Sequence, residues 1–158
     1  MKMNNEQEEL LLSWLSEIGA IILFWSPIER SIDQIVHALY KSQNKSSKKK
    51  PLTLNRKLEY IKSCIHADVV SENDLESLIN LTKKIVQIRN VCAHGMLHEF
   101  DENSIKIGKV QGKSEEHLIE VFTIDRNRLD KSVNKMTILS QDWGKLAETI
   151  VKKSLCKK

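Results

Sequence analysis

The sequence predicts a mainly all-α protein of four to five helices, with a small β-hairpin inserted before the last of them. Only five glycines and two prolines occur in 158 residues, too few breakers for a strand-and-turn architecture. Apolar residues recur at spacings of three and four through most of the chain. Between about residues 99 and 124 that period gives way to alternation, which suits strands. A hydrophobic content of 41% over this length suffices for one full core, so residues 1–158 are expected to form a single domain.

The first helix is expected from about Asn5 to Tyr40, with Leu11, Leu12, Leu15, Ile18, Ile22 and Trp25 on its inward stripe. Ile28, Ile32, Ile35, Val36 and Leu39 continue the buried face. Ser26-Pro27-Ile28-Glu29 has the order of an N-cap, a proline in the first helical position and an acid, so a kink or a fresh helix start is expected there. Five lysines (Lys41, Lys45, Lys48, Lys49, Lys50) follow within ten residues that hold no acid. Residues 42–51 therefore read as a flexible Lys/Ser linker with a positive field. A short helix from Thr53 to Ile65 turns Leu54, Leu58, Ile61 and Ile65 inward and Arg56, Lys57 and Lys62 outward.

The third helix is expected from Glu72 to His94, on the recurrence of Leu75, Leu78, Ile79, Thr82, Ile85, Val86, Val91 and Cys92. Ser71 and Asp74 stand in capping-box positions at its start, and Gly95 is expected to supply a left-handed stop. Ser104–Val110 and His117–Thr123 alternate as two strands around a polar turn, Gln111 to Glu116. The last helix, Arg126 to Ser154, carries Leu129, Val133, Met136, Leu139, Trp143, Leu146 and Ile150 at near-heptad spacing, a pattern that suits a bundle core.

Several function classes find no support. There is no glycine-rich phosphate loop, no Gly-x-Ser-x-Gly elbow and no HExxH helix. Three cysteines without a CxxC pair make no disulfide framework and fit a reducing compartment; Cys64 and Cys92 read as small core residues. Cys64-Ile65-His66 and Cys92-Ala93-His94 separate their ligands by about 200° on a helix, so no metal is expected, and no cofactor. His37 reads as a semi-buried helical residue. Apolar runs such as Gly19–Trp25 fall short of the roughly 18 residues of a membrane span, and the chain starts with Glu6, Glu8 and Glu9 rather than basic residues. The expectation is no signal peptide, no membrane partner and a cytoplasmic location.

The strongest chemical signal is Arg89-Asn90-Val91-Cys92-Ala93-His94, at the end of the third helix. At about 100° per residue Asn90 and His94 share a face, whereas Arg89 lies about 140° from His94. Two copies crossing on a two-fold axis would bring Arg89 and Asn90 of one to His94 of the other, so a homodimer with a symmetric cationic pocket is expected. That pocket suits a phosphodiester. RNA carries its own nucleophile, the 2′-hydroxyl; it needs a base, an acid for the leaving 5′-oxygen and cations for the developing charge. A histidine, whose ordinary pKa lies near 6.5, serves as acid or base, and an arginine fork matches two phosphate oxygens. In the plainer reading Arg89 pairs with a surface acid, Asn90 faces water and His94 bonds free carbonyls at the helix end.

The six residues resemble the signature of HEPN-domain proteins: an arginine followed by a polar residue, then a histidine after a short spacer. The resemblance extends loosely over the chain, through Glu29-Arg30 in the second half of the first helix, a short basic helix, the motif helix, an insert and a last amphipathic helix. It implies a HEPN-like four-helix bundle and metal-independent endoribonuclease activity with Arg89, Asn90 and His94 at a composite dimer site. It also implies a role as a toxin or defence nuclease with an antitoxin or nucleotidyltransferase partner. The alternative is a non-catalytic module that binds RNA or a nucleotide, or partners a nucleotidyltransferase. Lys48, Lys49, Lys50, Arg56 and Lys57 are the expected contacts to the RNA backbone.

Overall fold

The computed structural model describes residues 3–45, 49–111 and 118–155. It is mainly helical, with four helices: α1 (Asn5–Ser42), α2 (Leu54–Cys64), α3 (Glu72–His94) and α4 (Arg126–Leu155). Three strands, β1 (Met96–Phe100), β2 (Ser104–Gln111) and β3 (Leu118–Asp125), form an antiparallel sheet in the order β1-β2-β3 before the last helix. The expected hairpin is thus two of three strands. β1 escapes sequence reading because its residues do not alternate: four of its five side chains are exposed, and it is held by its ladder to β2, which shifts register between Leu97 and Glu99. Gly112–His117, which include most of the expected turn, lie outside the described residues.

The chain forms two compact units, the first of residues 1–24 and 85–135, the second of residues 25–84 and 136–158. In the first unit, β2 and β3 turn Ile105 and Ile124, a cross-strand pair, inward with Ile107. Trp14 of α1 is fully buried and donates its indole N–H to the Asp101 carbonyl at 2.8 Å. The Arg126 guanidinium lies 4.1 Å over the Trp14 ring, donates to the Glu102 carbonyl at 3.0 Å and forms an ion pair with Glu17.

The second unit buries Trp25, Ile28, Ile32 and Ile35 of α1, Leu58 and Ile61 of α2, Leu75 and Ile79 of α3, and Met136, Leu139, Trp143 and Ile150 of α4. These aliphatic and aromatic groups recur at helical spacing on each element, so each helix has one stripe to bury. Trp143 donates to Thr82 Oγ1 at 2.9 Å, and Thr82 donates in turn to the Leu78 carbonyl at 2.7 Å. Ser71 caps α3: its hydroxyl accepts the Asp74 N–H at 3.1 Å and donates to the Asp74 carboxylate at 2.6 Å.

Four sequence expectations are corrected here. Pro27 starts no new helix: it lies inside α1, where its missing N–H removes the bond to the Leu23 carbonyl. The inward face of its first half is Trp14, Ile21 and Trp25, whereas Leu12, Leu15 and Ile22, expected inside, are exposed. This segment carries two apolar stripes, so periodicity alone does not select the buried one. An 18-residue window of α1 is accordingly long and apolar enough to cross a membrane, and 22% of it is buried. Ser13, Ser16 and Glu17 break its apolar runs, so run length alone does not reveal the window. His37, expected semi-buried, is exposed.

Candidate functional site: the last turn of α3

α3 ends at His94 and β1 begins at Met96, leaving Gly95 as the whole connection. Gly95 does not take the left-handed conformation expected of it; among the described residues, the non-glycine residue that does is Asn44, with φ 52°. Its N–H continues the helical ladder to the Val91 carbonyl at 2.9 Å. Glycine is required for a different reason. A Cβ there would run into the Ile107 side chain on β2 and lie 2.6 Å from the Val91 carbonyl oxygen. The helix end is thus pressed onto the sheet, which fixes the turn that carries the motif.

Within this turn Arg89 and Asn90 are half-buried and His94 is exposed. Arg89 Nη1 donates to Asn90 Oδ1 at 3.1 Å, and Arg89 Nε is shielded from solvent. Asn90 and His94, one turn apart, share a face of the helix. Burial pushes the Cys92 thiol up to about 11, so it stays protonated at neutral pH and offers no thiolate nucleophile. Cys64 and Cys92, expected in the core, are both half-buried.

The expected RNA contacts divide. Lys49 and Arg56 are exposed and, with Lys50, Leu52, Glu59 and Tyr60, line an open groove of about 540 Å³. Lys50 Nζ lies 2.6 Å from His37 Nδ1. Lys57 forms an ion pair with Asp33 at 2.6 Å and retains 16% side-chain exposure, which takes it out of the free cations. Lys48 lies outside the described residues. Sequence reasoning missed the tyrosines of this region: Tyr40 and Tyr60 pack with ring centroids 4.8 Å apart, with the Lys45 ammonium 5.8 and 5.2 Å from their centres. Their only sequence signal is an aromatic at the end of α1 and another among the basic residues of α2.

A wider groove of about 1160 Å³ runs beside Glu29, Arg30, Asp33, His37, Lys41 and Glu148. Its charges are of both signs, so it focuses no field on an anion. Among the described residues no group of three or more His, Cys, Asp or Glu is placed to hold a metal. No protein-family model matches the chain, and comparisons with curated proteins and with solved structures find no match.

Proposed function

We propose that this chain is a metal-independent endoribonuclease of the HEPN type, a four-helix bundle that acts as a dimer, in the role of a toxin or defence nuclease. The observation that carries the reading is the last turn of α3, where a guanidinium oriented by Asn90 stands one turn before an exposed histidine. In the reaction, a base, His94 of one copy, takes the proton of the 2′-hydroxyl, and O2′ attacks the adjacent phosphorus. The P–O5′ bond breaks as the other His94 protonates the leaving 5′-oxygen. Arg89 holds the phosphorane oxygens. The products are a 2′,3′-cyclic phosphate and a 5′-hydroxyl, and the substrate supplies the nucleophile.

Lys49, Lys50 and Arg56 of the exposed groove serve to gather the RNA backbone. Incubation of the protein with a mixed RNA pool in EDTA, beside His94→Ala, tests the reading. Cyclic-phosphate ends formed by the wild type alone support it; intact RNA, or cleavage that needs added magnesium, overturns it.

The shielded Nε of Arg89 favours a second reading, in which the motif holds RNA or a nucleotide without cutting it, alone or beside a nucleotidyltransferase. A half-buried guanidinium with its Nε shielded is built for position rather than reach. Tight RNA binding with no new ends in the same assay selects it.

A further inference from the structure

The first half of α1 has two apolar faces, and one of them is uncovered. Leu12, Leu15, Ile22 and Leu23 are 65, 51, 39 and 72% exposed. At about 100° per residue they lie within roughly 60° of a line through Gly19, on the side opposite Trp14, Ile21 and Trp25. Leu12, Leu15, Gly19 and Ile22 follow the three-four-three spacing of a helix-pairing seam. Gly19 stands at its centre, and a Cβ there would meet nothing within 4 Å. The helix axis is therefore open to close approach at the midpoint of the stripe.

We propose that this stripe is a homodimer interface, on which α1 of a second copy lies antiparallel with the two Gly19 residues facing each other on the two-fold axis. About that axis Leu15 of each copy meets Leu23 of the other, so the surface is complementary to itself.

Charge and packing select a second copy over lipid. Residues 3–29 carry Glu6, Glu8, Glu9, Glu17 and Glu29 and no lysine or arginine, whereas helices that lie on anionic bilayers present basic residues. A membrane span is opposed by the other side of the same helix. Trp14 is bonded to the Asp101 carbonyl and Glu17 is paired with Arg126, groups that would have to enter hydrocarbon or separate. Charge also sets the direction. A parallel pair stacks the acidic starts of both helices, while an antiparallel pair about Gly19 separates the two Glu8 residues by about 33 Å along the axis.

The interface does not rest on the ribonuclease reading, although that reading requires two copies. Sedimentation of the full chain at micromolar concentrations is expected to show a dimer, with Leu15→Gln/Leu23→Gln weakening it at least about a hundredfold. Both positions are exposed, so the fold should survive. Under mild oxidation Gly19→Cys is expected to give a linked dimer well above the wild-type background. Leu12→Cys should not, because its copies lie about 21 Å apart along an antiparallel axis, beyond disulfide reach. A monomeric wild type, an undisturbed dimer in the double variant, or efficient Leu12→Cys linkage overturns the proposal. So does flotation of the wild type with phosphatidylcholine/phosphatidylglycerol vesicles that the double variant loses. A dimer of this geometry that leaves RNA intact upholds the interface and sinks the ribonuclease reading; a cleaving dimer that Leu15→Gln/Leu23→Gln leaves undisturbed does the reverse.

Discussion

Arg89 donates from Nη1 to Oδ1 of its own neighbour, Asn90, across 3.1 Å. Successive side chains leave a helix about 100° apart, so this bond draws the guanidinium around towards the face that Asn90 shares with His94. Asn90 thereby acts as a positioning residue for a fork that the helix alone would aim elsewhere. Arg89→Ala and His94→Ala are each expected to reduce RNA cleavage at least about a hundredfold, the scale of lost charge stabilisation or acid-base catalysis. Asn90→Ala should cost roughly tenfold by loosening the same group. Single-turnover cleavage with circular dichroism as the fold control checks the series, and an Asn90→Ala variant as active as wild type would dismiss the positioning role.

The basic residues should separate by their ion pairs. Lys49 and Arg56 are exposed, whereas Lys57 is held by Asp33. Each cation that neutralises a phosphate contributes about 0.7 to the slope of log affinity against log salt for single strands. Lys49→Ala/Arg56→Ala is therefore expected to flatten the salt dependence of RNA binding by about 1.4, and Lys57→Ala to leave it nearly unchanged. Filter binding across a salt series reads both slopes.

How far the fold was legible follows from where its signals are one-sided. α3 has a capping pair at Ser71 and Asp74 and a single apolar stripe, and its bounds, Glu72 to His94, are those the sequence predicts. α4 likewise starts at Arg126. The first half of α1 carries two apolar stripes, so the one through Leu12, Leu15 and Ile22 competes with the one through Trp14 and Ile21, and only packing decides. β1 is invisible for the opposite reason, since it buries almost nothing. At the candidate site the residue types and their helix end were legible. The Arg89–Asn90 bond and the Asp33–Lys57 pair were not, because each depends on rotamers or on contacts between elements.

Gly95→Ala tests the junction that carries His94. The added methyl group meets the Ile107 side chain and the Val91 carbonyl oxygen, a clash with backbone on one side that side-chain rotation cannot relieve. Overpacking of this kind costs about 1–3 kcal/mol, and urea denaturation should show that loss. Cleavage should fall with it, as the last turn of α3 shifts away from the sheet.

The Trp143–Thr82 bond gives a second stability test. Thr82 is fully buried and its hydroxyl accepts the indole N–H at 2.9 Å. Thr82→Val keeps the shape and removes the acceptor, leaving a buried N–H unpaired at a cost of about 1–3 kcal/mol. Thr82→Ser retains the acceptor and should recover most of that loss, less the value of one buried methyl group. Equal destabilisation by both substitutions would assign the effect to packing alone.

Asp101 should impose a pH dependence of known sign on the first unit. Its Oδ1 accepts the backbone N–H groups of Asn103 and Ser104 at 2.8 and 2.7 Å, and these bonds hold its carboxyl below the usual carboxylate range. A depressed folded value means that protonation favours the unfolded chain. The stabilisation is therefore fully present above the unfolded value near 3.9 and is lost as pH falls through the lower folded one. The same loop supplies the carbonyl that receives the Trp14 indole N–H, so its loosening should be felt in α1. The stability difference between wild type and Asp101→Ala, measured by urea denaturation, is expected to be constant from about pH 5 to pH 7 and to shrink below about pH 4. Trp14 fluorescence should change over the same acid range in the wild type. A difference that grows on acidification would show that the carboxylate does not hold the turn.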